Sequence, residues 1–175
     1  MDNSKKYTLK IIIIGEPAVG KTSLVKKFIT GKFTQDYRAS IGTNIFIKKI
    51  KLKNETDISI QIWDIAGQER WTKLRRPYYT GARGVIIVGD LTRKTTFDQI
   101  EKFWVPDINH YCEIVPIILL ANKNDLETQI HESEINSLGK KINVLSIIYT
   151  SAKTGENVET AFKKISEEAI KTINE

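Results

Sequence analysis

Cysteine is almost missing: Cys112 is the single one in 175 residues. That excludes an internal disulfide and any Cys-rich zinc site, and it suits a reducing cytosol. Long apolar runs are missing as well. The longest aliphatic stretch is Ile11–Ile14, far short of the ~20 apolar residues of a membrane-spanning helix. A secretory signal needs roughly 7–15 apolar residues and a small-residue cleavage site, and neither is there. No Pro/Gly/Ser linker, low-complexity tract or internal repeat divides the chain. The expectation is one domain over 1–175, with a short polar extension over about 1–7. Runs of like charge are also lacking. The balance is 27 basic against 21 acidic residues, net +6, yet the lysines come in pairs such as Lys5-Lys6, Lys26-Lys27, Lys48-Lys49, Lys140-Lys141 and Lys163-Lys164. No tail or arm is built from them, and no stacking aromatics interleave with them. They read as solvated surface, with no nucleic-acid partner. His110 and His131, without neighbouring ligands, read as ordinary surface side chains on predicted helices.

What is there is an alternation. Strand-length apolar runs occur at Leu9–Ile14, Ile45–Leu52, Ile58–Trp63, Val85–Val88, Ile117–Ala121 and Leu145–Tyr149. Between them come helical faces: Leu24, Val25, Phe28 and Ile29, stopped by Gly31; Phe97, Ile100, Trp104 and Ile108; Val158, Ala161, Phe162, Ile165 and Ala169. Continuous rather than alternating aliphatics predict strands buried on both faces of a parallel sheet. The link Lys53–Asp57 is too short for a crossover, so the second and third strands should form an antiparallel hairpin. The expected fold is α/β: a doubly wound, mostly parallel six-stranded sheet with one antiparallel edge strand and helices on both faces. Pro106 should kink or interrupt its helix.

Directly after the first strand stands Gly15-Glu-Pro-Ala-Val-Gly20-Lys21-Thr22, matching G-x-x-x-x-G-K-[ST] with a helix to follow. Water around a triphosphate is replaced in such a loop by inward backbone N–H groups at a helix N-terminus. Gly15, Ala18, Val19, Gly20, Lys21, Thr22 and Ser23 are therefore the phosphate-binding candidates. Gly20 lets the backbone approach, Lys21 places a point charge on the β- and γ-phosphates, and the Thr22 hydroxyl suits Mg²⁺. This motif alone leaves an ATPase, a nucleotide kinase and a GTPase open.

Two later segments choose the base. Asn122-Lys123-Asn124-Asp125 follows the fifth strand and Thr150-Ser151-Ala152-Lys153 the sixth, both at strand carboxyl ends where open α/β sheets bind ligands. Guanine offers two adjacent donors, N1–H and the N2 amino group, which the Asp125 carboxylate accepts together. Adenine has no such pair. Each charge-assisted bond is worth roughly 1.5–3 kcal/mol.

Together with Trp63-Asp64-Ile65-Ala66-Gly67-Gln68-Glu69-Arg70 and Tyr78-Tyr79-Thr80-Gly81-Ala82, these motifs resemble the Ras superfamily of small GTPases, most closely its Rab branch. The resemblance runs from about Leu9 to Ala169 and implies a P-loop G domain: a switch that binds GTP or GDP with Mg²⁺ and slowly hydrolyses GTP, in membrane traffic or signalling. It implies Gln68 as the residue that orients the attacking water, alongside Lys21 as the second catalytic residue. Ser40 and the Gly67 amide would meet the γ-phosphate. Thr22, Ser40 and, through a water, Asp64 would hold the metal. Phe33 and the Lys123 stem would sandwich the guanine; Asn122 would tie the base loop to the phosphate loop; the Ala152 amide would face the guanine oxygen, with Ser151 and Lys153 beside it. The segments Tyr37–Gly42 and Gly67–Tyr79 would be the switches read by an activating protein, an exchange factor and effectors. With no secure arginine finger, Arg38 reading as surface, hydrolysis should be slow alone.

The sequence departs from the family pattern in four places. Ser40 stands where Thr is usual. Pro17 removes a donor beside Ala18 at the loop positions nearest the γ-phosphate. The partner-facing triad reads Ile45, Trp63, Tyr78, with Ile for Phe. No cysteine near Glu175 carries a prenylation signal. The expected location is cytoplasmic, with at most peripheral contact with a membrane. The competing readings are a GTP-binding module with impaired hydrolysis and an ATP-dependent small-molecule kinase.

Overall fold

The computed structural model describes residues 6–34, 42–52, 56–68, 73 and 75–174. Six strands make one sheet: β1 (Lys6–Ile14), β2 (Thr43–Lys51), β3 (Asp57–Ile65), β4 (Gly84–Asp90), β5 (Ile117–Asn122) and β6 (Ser146–Thr150). Their spatial order is β2-β3-β1-β4-β5-β6. β2 and β3 are antiparallel, as their short link requires, and every other pairing is parallel. This is the expected architecture. Its helices are α1 (Lys21–Thr30), α2 (Arg76–Tyr79), α3 (Lys94–Gln99), α4 (Val105–Tyr111), α5 (Glu132–Lys141) and α6 (Val158–Asn174).

The run of isoleucines in β1 explains the layering. Successive side chains point to opposite faces, and both faces are covered. Leu9, Ile11 and Ile13 enter a core with α1 and α6, where Phe28 and Phe162 stack at 4.3 Å. Ile12 and Ile14 enter a second core with Phe97, Ile100, Trp104 and Ile108. All five of these β1 side chains are fully buried. α1 ends at Gly31, whose φ of 72° is the left-handed conformation of a helix stop and whose N–H donates to the Lys27 carbonyl at 2.9 Å.

Every strand differs from its sequence-based bounds by one to three residues at one end or both. Lys6 and Tyr7, expected in the polar extension, pair with Asp57 and Ile58 and so belong to β1. β6 starts at Ser146, leaving Leu145 exposed. The interruption expected from Pro106 is present, just upstream of its own position. A π-helical turn, Ile100–Trp104, precedes the proline, with the Val105 N–H donating to the Ile100 carbonyl. Pro106 has no N–H for the carbonyl four residues back and its ring needs room there, and one widened turn meets both demands. His131 is on the surface but is not idle. It caps α5: its side chain accepts the Glu134 N–H, while Glu134 accepts the His131 N–H at 3.2 Å. Glu134 also pairs with Lys94, joining α5 to α3.

Candidate functional site

The site forms at the carboxyl ends of β1, β4, β5 and β6. The loop from Gly15 to Gly20 leaves β1 and turns into α1 without a break. Lys21 is 6% exposed, and its Nζ donates to the Gly15 and Glu16 carbonyls, both at 2.9 Å. Burial lowers its pKa to about 8, against the opposing pull of Asp64 and Glu16. Gly20 has φ of 100°, and a Cβ there would lie 2.4 Å from Asn122 Nδ2. The glycine therefore makes room for the base loop as well as for a left-handed turn.

Two loops that carry different parts of the motif set are bonded directly. Asn122, 1% exposed, donates from Nδ2 to the Val19 carbonyl at 2.9 Å and accepts from Thr150 Oγ1 at 3.1 Å. Lys123 Nζ donates to the Ala18 carbonyl at 3.0 Å. Ala18 and Lys123 both hold left-handed backbones, φ 61° and 67°, at a cost of roughly 1–3 kcal/mol each for non-glycine residues. Such strain persists where the surroundings dictate it, and here one strained residue bonds the other.

Asp125 is exposed, and one of its oxygens accepts from Ser151 Oγ at 2.6 Å. Ser151 Oγ in turn accepts the Thr154 N–H at 3.1 Å, and Asn124 Nδ2 reaches Glu156 at 3.0 Å. Ala152 is 5% exposed while Lys153 is open to solvent. Phe33 stands after α1, 37% exposed.

Asp64, at the end of β3, is fully buried. Its Oδ2 accepts from Thr22 Oγ1 at 2.5 Å, and Oδ1 has no partner among the described residues. Burial raises its pKa, with Thr22 and Lys21 working against the rise. A hydroxyl and an unsatisfied carboxylate oxygen side by side are hard donors of the kind Mg²⁺ takes, leaving most of its coordination to water and phosphate. The described residues contain no cluster of three or more His, Cys, Asp or Glu that would hold a metal alone. The donor set therefore fits an ion shared with a phosphorylated ligand.

Gly67 is buried hard against the phosphate loop: a Cβ on it would fall 2.3 Å from Pro17 N. Gln68, next in the chain, is exposed. Ser40 and Arg38 lie outside the described residues, as does most of Tyr37–Gly42. Of the second segment, Lys10 holds the far end. Its Nζ donates to the Pro77 and Thr80 carbonyls at 3.2 and 2.8 Å and sits 3.6 Å above the Trp63 ring. Arg75 closes on Asp107 of α4 through two nitrogens at 2.9 and 3.0 Å, and Tyr79 stacks on Tyr111 at 5.5 Å. Cys112 lies 4.0 Å from the Tyr79 carbonyl. Of the triad, Ile45 and Trp63 are cross-strand partners, and Trp63 and Tyr78 pack on the same core; Ile45 is half exposed.

Sequence reasoning missed Asp90 and Arg93. The Asp90 side chain is fully buried, and its Oδ2 meets Lys123 Nζ at 2.7 Å and Arg93 Nε at 3.0 Å. Burial alone would raise its pKa, but Lys123 and the Thr92 hydroxyl and amide hold it below the usual carboxylate value. Arg93 also donates from Nη2 to the Pro17 carbonyl at 2.8 Å. A second miss is Trp104, whose Nε1 donates to the Glu16 carboxylate at 3.0 Å. No spacing rule connects residues this far apart in the chain.

A sequence profile described as the Ras family matches residues 10–171. Among curated relatives, the chain is 37% identical over 172 residues to the Ras-related protein Rab-32B of Dictyostelium discoideum, covering 95% of this chain and 66% of that protein. It is 40% identical over 162 residues to the Ras-related protein Rab-1 of Theileria parva, covering 91% and 73%. With the Ypt/Rab-type GTPase YPT7 of Saccharomyces cerevisiae it shares 34% over 177 residues, 97% and 85% of the two chains.

Proposed function

The chain belongs to the Ras family and is a Rab-like small GTPase, and from that premise we propose that it binds GTP and GDP with Mg²⁺, hydrolyses GTP slowly by itself, and acts in membrane traffic. The observation that carries the proposal is the bonding of the Asn122–Asp125 segment onto the phosphate loop through the Val19 and Ala18 carbonyls. A base reader and a phosphate reader fixed at one separation measure a whole nucleotide.

Asp125 takes the guanine N1–H and N2–H, with the Ser151 hydroxyl fixing its carboxylate. Phe33 and the stem of Lys123 cover the two faces of the base, the Ala152 amide faces its oxygen, and Lys153 lies alongside. The N–H groups of the Gly15–Gly20 loop, Pro17 excepted, and the cation Lys21 replace water around the phosphates. Gly67 presents its amide to the terminal phosphate, and Gln68 orients a water for in-line attack. The water oxygen bonds to the γ-phosphorus as the bridging P–O bond breaks. GDP leaves with the bridging oxygen, and the water's protons remain with the inorganic phosphate and the medium. Thr22 and Ser40, and Asp64 through a water, would hold Mg²⁺, which would supply positive charge against that of the polyphosphate.

Loss of the terminal phosphate removes the contacts that draw the Gly67–Tyr79 segment inward, and the face around Ile45, Trp63 and Tyr78 changes for an effector. An activating protein and an exchange factor set the two rates. No described helix is long and apolar enough to cross a membrane, and the working place proposed is the cytoplasm and the surface of a membrane.

The test is single-turnover hydrolysis of GTP by wild type and Gln68→Leu, with ATP as competitor. A tenfold or larger loss at unchanged GDP affinity supports the assignment. Equal affinity for ATP and GTP overturns the guanine reading. Indistinguishable traces at a negligible rate favour the impaired-hydrolysis reading, for which Pro17 is the specific reason.

A further inference from the structure

Three consecutive carbonyls of the phosphate loop are held from outside. Pro17 O accepts from Arg93 Nη2 at 2.8 Å, Ala18 O from Lys123 Nζ at 3.0 Å, and Val19 O from Asn122 Nδ2 at 2.9 Å. A trans peptide is planar, with its C=O and the following N–H pointing opposite ways. Pinning these three oxygens outward therefore turns the next three N–H groups, those of Ala18, Val19 and Gly20, toward the inside of the loop. Each outer bond aims one inner donor.

The Arg93 bond belongs to the peptide that matters most here. Pro17 has no N–H, so the loop is one donor short at this position, and the Ala18 N–H is the first one available after Glu16. Arg93 is itself well fixed. Its Nε lies 3.0 Å from the fully buried Asp90 carboxylate, which also receives Lys123 at 2.7 Å. One buried acid thus anchors two of the three clamps. The preceding peptide, Glu16–Pro17, bears Gly67, whose missing Cβ would stand 2.3 Å from Pro17 N and 2.6 Å from Pro17 Cδ. Any shift of the Pro17 ring therefore moves the surface on which Gly67, and Gln68 beyond it, rests.

We propose that Arg93 is a positioning residue for the terminal phosphate: by gripping the Pro17 carbonyl it aims the Ala18 N–H inward and holds the Pro17 face against which Gly67 seats, offsetting the donor that proline removes. This rests on the guanine-nucleotide reading above. Arg93 does not enter the bond changes of hydrolysis. It sets the geometry in which they occur, and its influence falls on the triphosphate more than on the diphosphate.

The experiment measures GDP affinity, affinity for a non-hydrolysable GTP analogue, and single-turnover GTP hydrolysis for wild type, Arg93→Met and Arg93→Lys. The Arg93 side chain is 41% exposed, so the variants fold, and thermal melts check this. Arg93→Met should slow hydrolysis roughly ten- to a hundred-fold, the scale of one charge-assisted hydrogen bond felt in the transition state. The analogue-to-GDP affinity ratio should fall with it while GDP affinity stays within about threefold. Arg93→Lys, which keeps the charge and one donor, should fall between. The proposal is overturned if Arg93→Met stays within twofold of wild type, if GDP affinity drops as far as hydrolysis, or if lysine does no better than methionine. Failure of the underlying reading looks different: the wild-type chain itself would not prefer guanine nucleotides or would not hydrolyse GTP. In the second of these cases the affinity ratio alone still decides on Arg93.

Discussion

Replacing Gly67 by alanine adds one methyl group where there is no space for it. The new Cβ would stand 2.3 Å from Pro17 N, 2.6 Å from Pro17 Cδ and 2.7 Å from the Glu16 carbonyl carbon. All three are main-chain or ring atoms, so no flexible side-chain end can swing aside. Nor is the loop free to retreat, since Arg93 holds the Pro17 carbonyl and Trp104 holds the Glu16 carboxylate. Overpacking of this kind costs about 1–3 kcal/mol, equivalent to roughly a 5- to 150-fold change in an equilibrium constant. The cost applies only when Gly67 is seated on the loop, the arrangement that a terminal phosphate favours. Gly67→Ala should therefore weaken a GTP analogue by that factor and leave GDP within about threefold. Displacement of a fluorescent GDP by each nucleotide measures both. Adding Pro17→Gly removes the ring carbon from the clash and should recover part of the loss, giving a coupling outside additivity in the double-mutant cycle. If Gly67→Ala leaves both affinities unchanged, or lowers both alike, the steric argument is wrong.

Asp125→Ala should reduce GTP affinity by roughly tenfold or more and narrow the preference over ATP, because each bond to guanine N1–H and N2–H is worth about 1.5–3 kcal/mol; competition binding reads it. Raising the pH should weaken GDP binding between pH 8 and 9, by at most about tenfold per unit. Burial lowers Lys21 to about 8 in the free chain and bound phosphates favour its charged form, so binding takes up a proton above that pH; Lys21→Met should give a flat profile over the same window. Asp107→Ala removes the carboxylate that meets two nitrogens of Arg75, in a contact where the carboxylate is 7% and the guanidinium 21% exposed. A fall of roughly 2–4 kcal/mol in unfolding free energy by denaturant titration is expected.

The layering and the two candidate loops at the strand ends were legible in the sequence for a shared reason: both are written in neighbours. Four isoleucines in a row require cover on two faces, and Gly15-x₄-Gly20-Lys21-Thr22 presents its donors within one turn of chain. The hairpin followed from a link too short for anything else. What escaped was written across distance. Arg93 and Pro17 are 76 positions apart and Trp104 and Glu16 are 88 apart, and nothing local to an arginine or a tryptophan names its partner. Pro106 announced a disturbance but not its form, because the choice between a bend and a widened turn depends on Trp104 and Ile108 both packing in the same core. His131 lacked the usual side-chain chemistry of a cap, and only the returning Glu134 completes it.

The two cores on opposite sides of the sheet divide the labour of reporting. Trp63, Tyr78 and Tyr79 pack with α3, α4 and α5, whereas α1 and α6 pack on the other side. The single thiol, Cys112, lies on the first of these sides beside the Tyr79 carbonyl, and burial raises it to about 11, so it reacts sluggishly at neutral pH. A dye attached there at alkaline pH would read rearrangement of the tyrosine-bearing segment in the otherwise native chain. A second label on the solvent side of α6 would serve as its silent reference.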